Sequence, residues 1–378
     1  MADFSRVLAG PYATMLLADL GATVIKVEKP EVGDDTRSWG PPWTARGSSY
    51  FESLNRSKRS LTLDLASESD QQVARELVRR ADILVENFRV GALARYGLDY
   101  DSASVINPGL VYASVSGFGS DEGARLPGYD FVVQAAGGLM SITGAPDGEP
   151  TKVGVAMVDV LTGKDAALGI LAALRQREVT GRGQHIEVNL MSSLLGALTN
   201  QLGGFLATGV APQAMGNQHP SIAPYETLRC ADGLLAVAVG NDTQFGTFAD
   251  CLGLPELPAD PRFATNAERV HNRAVLVDQL EGVLRTRPAA DWQGRLQQAG
   301  IACSQVNDLD GAVRYADALG LRPVTKPDGS DTPQVRTPID FSGSEVVPPA
   351  APPILGEHTE QVRAWLAATD PAPLPALQ

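Results

Sequence analysis

Short apolar runs alternate with stretches of helical period through the first half of the chain. Thr23–Glu28, Ser60–Leu65, Asp82–Glu86, Leu110–Val115 and His185–Leu190 are β-rich runs of five or six residues, too short for helices, and are predicted strands. Between them, Val73, Ala74, Leu77, Val78 and Ala81 fall on one helical face, and Ser67 with Asp70 three residues on has the form of a capping box. The segment Leu161–Leu174 is rich in small apolar residues (Ala166, Ala167, Ala172, Ala173) and predicts a helix that packs closely. Strands alternating with helices predict an α/β fold whose parallel sheet carries helices on its faces.

The pattern breaks after residue 200. Gly209–Pro220 has many turn residues and little periodicity, so 201–222 is predicted to be a linker between a first region at 1–200 and a second at 223–308. The second region opens with a strand pair around the turn Asp232-Gly233. Helical patterns follow near Thr243–Leu252, Asn272–Arg285 and Ala290–Ala299. Proline and glycine are dense again across 309–345, a second predicted linker. The last region, 346–378, contains one short helix at Thr359–Ala367.

Composition narrows the class. At 378 residues two domains are the default, and 44% hydrophobic with 20% charged residues is a globular composition. The net charge of -13 argues against nucleic acid as a partner. Cys230, Cys251 and Cys303 are odd in number and far apart, which suits a reducing cytoplasmic setting. The four histidines are scattered, so no metal site is expected. Neither a signal peptide nor a membrane-spanning run is expected.

Several positions carry candidate chemistry. Asp159 ends the apolar run from Val153, which reads as a strand, and begins a helix. A carboxylate there either caps the helix or is a nucleophile displayed where open α/β sheets place ligands. Lys26, Lys29, Arg37, Arg56, Lys58 and Arg59 are either a solvated face or collectors of phosphate and carboxylate. Asn87-Phe88-Arg89 follows a strand and offers a ring, an amide and a cation to a nucleobase, or simply packs as a loop. Gly117-Phe-Gly119 with Gly123 has the wrong spacing for a dinucleotide loop and reads as a plain one. Gly137-Gly138 permits close approach to the backbone or is a turn.

Taken together, Ala9-Gly-Pro11, Ala18-Asp-Leu-Gly-Ala22, Val24-Ile-Lys-Val-Glu28, Gly33-Asp34, Asn55-Arg-Ser-Lys58, Glu86-Asn-Phe88, Gly128-Tyr-Asp130, Thr180-Gly-Arg-Gly183, Asp260-Pro-Arg-Phe263 and Leu355-Gly-Glu-His358 resemble the family III (CaiB/BaiF) CoA-transferases over nearly the whole chain. The resemblance implies a Rossmann-like, doubly wound large domain plus a smaller α+β domain. It also implies that 346–378 returns to the large domain, and that two chains interlock as a homodimer. It makes coenzyme A, as acyl-CoA, a substrate and assigns the nucleophile to Asp159. The CoA contacts it implies are Leu8 and Ala9 near the phosphates, Lys29 on phosphate, and Leu63, Asp64, Leu65 and Ala66 along the nucleotide. Asn87, Phe88 and Arg89 would flank the adenosine, Arg95 a phosphate, and Pro127, Gly128, Tyr129 and Asp130 the thiol end.

Leu8 replaces an amide of formyl-CoA transferase, and His219–Ala223 replaces its tetraglycine loop, which points away from formate and oxalate. Tyr129 stands where the related α-methylacyl-CoA racemases have histidine, and an ordinary tyrosine is a poor base near neutrality. Within the family, Gly33–Pro42 is most similar to succinyl-CoA-dependent dicarboxylate transferases, with Arg37 suited to a distal carboxylate and Gly137 and Gly138 to the oxyanions. The expected activity is transfer of CoA from an acyl-CoA to a free carboxylic acid. The alternatives are an acyl-CoA epimerase and a non-catalytic CoA-binding protein.

Overall fold

The computed structural model describes residues 1–343, 348–369, 372–374 and 377. Its central element is a parallel sheet whose strands, apart from the half-buried last one, are largely buried. These strands are β1 (Ala2–Asp3), β2 (Val24–Glu28), β3 (Lys58–Thr62), β4 (Ile83–Glu86), β5 (Val111–Ser116) and β6 (His185–Asn189), in the order β3-β2-β1-β4-β5-β6. Two-residue β1 pairs with β2 through Ala2 and Ile25 and with β4 through Ala2 and Leu84, so the shortest strand is at the centre. This is the doubly wound order, with its reversal between β1 and β4.

Alternation along the strands divides the core into two layers. Ile83 and Val85 of β4, with Val111, Ala113 and Val115 of β5, pack on helices α1 (Ala9–Asp19) and α6 (Met157–Thr180). Leu84 and Tyr112 face the other way, toward α3 (Glu68–Arg80), α4 (Tyr100–Ile106) and the carboxyl-terminal helix α14 (Thr359–Ala367). Between α1 and α3 lies α2 (Ser49–Asn55), and α5 (Asp130–Ala136) precedes α6. Small residues let α1 and α6 approach closely: a Cβ at Gly163 would stand 2.7 Å from the Ala9 carbonyl oxygen.

The chain divides into two units. Residues 1–140, 152–212 and 321–378 form one, and 141–151 with 213–320 form the other. The second unit has an antiparallel sheet, β7 (Tyr225–Arg229), β8 (Leu234–Ala238) and β9 (Ala302–Gln305). Its core of Phe245, Phe248, Leu276, Leu280, Trp292 and neighbours is its own. Its helices include α9 (Asp242–Leu252), α11 (Arg273–Leu284) and α12 (Ala289–Gln298), each close to the periodic run that predicts it, and the short α10 (Asn266–His271), which no run predicted.

The structure differs from sequence expectation in several places. The predicted linkers contain helices: α8 (Thr199–Thr208), which follows α7 (Leu190–Ala197), runs into the first, and α13 (Leu309–Ala318) opens the second. The expected boundary at 345–346 lies outside the described residues. Strand β3 starts two residues early, at Lys58, because Lys58 and Arg59 are buried rather than exposed. No capping box forms at α3: Ser67 Oγ bonds Ser69 Oγ, while the Asp70 carboxylate accepts from Asp64 N and Arg363. No strand precedes Asp159 either. Residues 151–156 are irregular, Ala156 is the N-cap of α6, and Asp159 lies inside the first helical turn.

Candidate active site

A doubly wound sheet presents a crevice at the carboxyl ends of its strands, where the strand order reverses. Here the loops after β1 (Arg6–Ala9), β4 (Asn87–Val90) and β5 (Ser116–Gly119) meet around a cavity of about 280 Å³. Asp159, Pro127, Gly128 and Tyr129 complete its wall. The β5 loop and the loop before α5 touch backbone to backbone. A Cβ at Gly117 would fall 2.5 Å from Gly128 Cα, so both positions require glycine.

Asp159 is half-buried and its carboxylate accepts no hydrogen bond among the described residues. Burial, and then the neighbouring Asp130 carboxylate, push its pKa up to about 7. The start of α6 favours a negative charge and opposes this rise, without cancelling it. Asp130 has a different task from the one the resemblance implies. It is buried, its Oδ1 accepts from Val158 N (2.7 Å) and Asp159 N (3.2 Å), and its Oδ2 accepts from Gln134 Nε2 (2.6 Å). Gln134 Oε1 in turn accepts from Val153 N at 2.9 Å. Asp130 thus caps α6 from a neighbouring helix and does not line the cavity. Asp159 itself caps nothing.

A second cavity of about 500 Å³ opens beside the first. Lys29, Leu63, Asp64, Leu65, Ala66 and Arg95 line it, as the resemblance implies for the nucleotide side. Arg6, Asp35 and Phe88 line both cavities. Arg6 pairs with Asp35 at 3.3 Å, lies 5.2 Å from the Phe88 ring centroid, and exchanges two hydrogen bonds with the Asn87 amide. Leu8, Ala9, Asn87 and Arg89 line the first cavity.

Other expected residues lie elsewhere. Arg37 lines neither cavity: its guanidinium forms two 2.7 Å bonds to Glu28 and stacks 3.7 Å from the Phe51 centroid. Its charge is thus satisfied within the protein, away from any diacid in the crevice. Lys26, Arg56 and Lys58 are likewise bound to Asp34, Asp19 and Asp3. Lys29 and the paired Lys26 both line the second cavity. Gly137 N–H closes α5 on Val133 O at 2.8 Å, which removes it as an oxyanion donor, and neither Gly137 nor Gly138 lines the cavity.

Arg6, Asp35 and the Gly117–Gly119 loop are the site residues that sequence patterns passed over. Arg6 follows a strand of only two residues, too short to register as one. The glycine loop was legible only in its position after a strand, since its spacing fits no phosphate motif. Tyr50 is a further one: burial and then the Asp159 charge push its phenol up to about 12, which keeps it protonated.

The two cavities share lining residues, with a partly desolvated carboxylate, Asp159, on the wall of one and the cations Lys29 and Arg95 on the wall of the other. The chain belongs to CoA-transferase family III, which matches residues 1–359, and it is an enzyme of that class. It is 42% identical to the succinate–glutarate CoA-transferase of Agrobacterium fabrum, over 96% of this chain and 94% of that protein. It is 40% identical to the acetyl-CoA:oxalate CoA-transferase of Acetobacter aceti, over 90% and 87% of the two chains. Among solved structures, a CaiB/BaiF family protein from Brucella suis superposes with a TM-score of 0.87 at 44% identity, covering 97% of both chains.

Proposed function

We propose that this enzyme transfers CoA from an acyl-CoA, succinyl-CoA foremost, to a free dicarboxylic acid, with Asp159 as nucleophile. The observation that carries this is the Asp159 carboxylate, unpartnered at the wall of the crevice in a chain of this family. Glutarate and oxalate, named in the two relatives above, are both dicarboxylates, and this favours the same class of acid here.

The ionised Asp159 attacks the thioester carbonyl and expels CoA thiolate, leaving an acyl-aspartyl anhydride. The thiolate attacks the aspartyl carbonyl, releasing the donor carboxylate and leaving an aspartyl-CoA thioester. The acceptor carboxylate then runs the two steps in reverse. Covalent catalysis of this kind divides one difficult exchange into easier ones and needs water excluded from the anhydride. An acyl-CoA fits with its nucleotide beside Lys29, Arg95 and Leu63–Ala66, its middle over Phe88 and Arg6, and its thioester at Asp159. Pro127, Gly128 and Tyr129 wall the thiol end. We place the enzyme in the cytoplasm as an interlocked homodimer.

The test is an assay of succinyl-CoA with a panel of mono- and dicarboxylic acids. Rapid formation of dicarboxyl-CoA products is expected. Turnover confined to monocarboxylic acids would refute the dicarboxylate reading, and acyl-CoA epimerisation without a second acid would refute transfer.

A further inference from the structure

The first turn of α6 stands between two cavities. Asp159 lines the crevice, whereas Ala156 and Val160, on either side of it, line a third cavity of about 650 Å³. Leu8 lines both and forms the partition. An acyl group carried by Asp159 must lie somewhere that reaches this turn and is not filled by CoA. The third cavity meets both conditions, with Tyr12 and Tyr50 among its lining residues. Burial raises both phenols, so each remains a hydrogen-bond donor at neutral pH.

Two cations line this mainly apolar space, Arg56 and Arg336. Arg56 is fixed: its Nε and Nη2 both bind Asp19, and its side chain is 6% exposed. Arg336 is different. Among the described residues only its Nη2 is engaged, by Asp340, whose side chain is 75% exposed. A solvent-screened pair of that kind is weak and readily exchanged. The backbone of Arg336 is held by a 2.9 Å bond from its N–H to Pro323 O, so the side chain projects from an anchored point just after strand β11 (Gln334–Val335), which pairs with β10 (Val324–Thr325).

Resting on the transfer reading above, we infer that the cavity lined by Leu8, Tyr12, Tyr50, Val160 and Arg336 is the acid subsite, and that Arg336 binds the distal carboxylate of a dicarboxylate substrate. The guanidinium fork suits a carboxylate bidentately, and the apolar wall holds the intervening methylenes. This gives the diacid a cation that Arg37, bound to Glu28, does not supply.

The experiment is isotope exchange, in which each assay contains one class of acid: radiolabelled glutarate into glutaryl-CoA, and radiolabelled butyrate into butyryl-CoA. Arg336→Gln lowers kcat/KM for glutarate exchange by about 30-fold or more, chiefly through KM, as expected for a lost carboxylate partner in a partly dry site. It changes butyrate exchange by less than about 3-fold, because that acid has no distal charge. Arg336→Lys recovers part of the glutarate rate. Asp340→Asn, at an exposed position, frees the guanidinium and lowers the KM for glutarate alone. Equal losses for the two acids in Arg336→Gln, or an unchanged glutarate KM in both Arg336→Gln and Asp340→Asn, would overturn the subsite while leaving transfer intact. Absence of any exchange in the wild-type protein would overturn the transfer reading itself.

Discussion

Asp159 carries two opposed requirements. It must be ionised to attack a carbonyl, yet burial and Asp130 hold its pKa up at about 7. Activity is therefore expected to rise with pH through a midpoint near 7, since the protonated carboxyl below it is no nucleophile. Asp130→Asn keeps an oxygen for the α6 N–H groups but removes the neighbouring charge, so the midpoint moves down. A pH profile of kcat/KM for both proteins checks this, and an identical midpoint in the variant would exclude Asp130 as a cause. The linkage has the same origin. A carboxyl whose folded pKa lies above its unfolded value loses stability as pH rises between the two. Asp159→Asn should therefore raise the melting temperature at pH 8 and leave it nearly unchanged at pH 4, as measured by thermal denaturation.

At the scale of elements, the site depends on α1 and α6 crossing closely, because α1 begins at the Leu8–Ala9 wall and α6 carries Asp159. Gly163 is at that crossing, one turn beyond Asp159. A methyl group there meets the Ala9 carbonyl, and forced overpacking of a tight interface costs about 1–3 kcal/mol. Gly163→Ala should lower thermal stability accordingly and also lower kcat, since it displaces the wall from the nucleophile; a neutral melting temperature would contradict the packing account. The small residues of Leu161–Leu174 announced this closeness in the sequence, and the β-rich runs of β2, β4, β5 and β6 announced the sheet. Strand β1 was not legible, because two residues have no periodicity, and with it Arg6 was lost. Lys58 misled as to where β3 starts because a lysine reads as exposed. Only the fold brings Asp3, Pro11 O and Asn55 within hydrogen-bond reach of its ammonium. Asp159 could be named from the chain, but its cap could not, since Asp130 lies 29 residues earlier.

For the whole molecule, the doubly wound strand order explains why residues from the loops at 6–9, 87–90, 116–119 and 127–129 converge on one crevice. Among the described residues no helix is long and apolar enough to cross a membrane. An interlocked dimer is expected to resist dilution, because separating two linked chains requires partial unfolding. Sedimentation at micromolar and lower concentrations should find a single dimeric species, and a concentration-dependent monomer would remove interlocking from the account. Covalent chemistry at the Asp159 carboxylate is tested most directly by trapping. Protein incubated with succinyl-CoA and quenched with hydroxylamine is digested and read by peptide mass spectrometry. The expected result is a hydroxamate on Asp159, dependent on the acyl-CoA, with Asp159→Ala unmodified and inactive but still binding CoA. Full turnover with Asp159 unmodified, or a hydroxamate at another residue, would contradict the account.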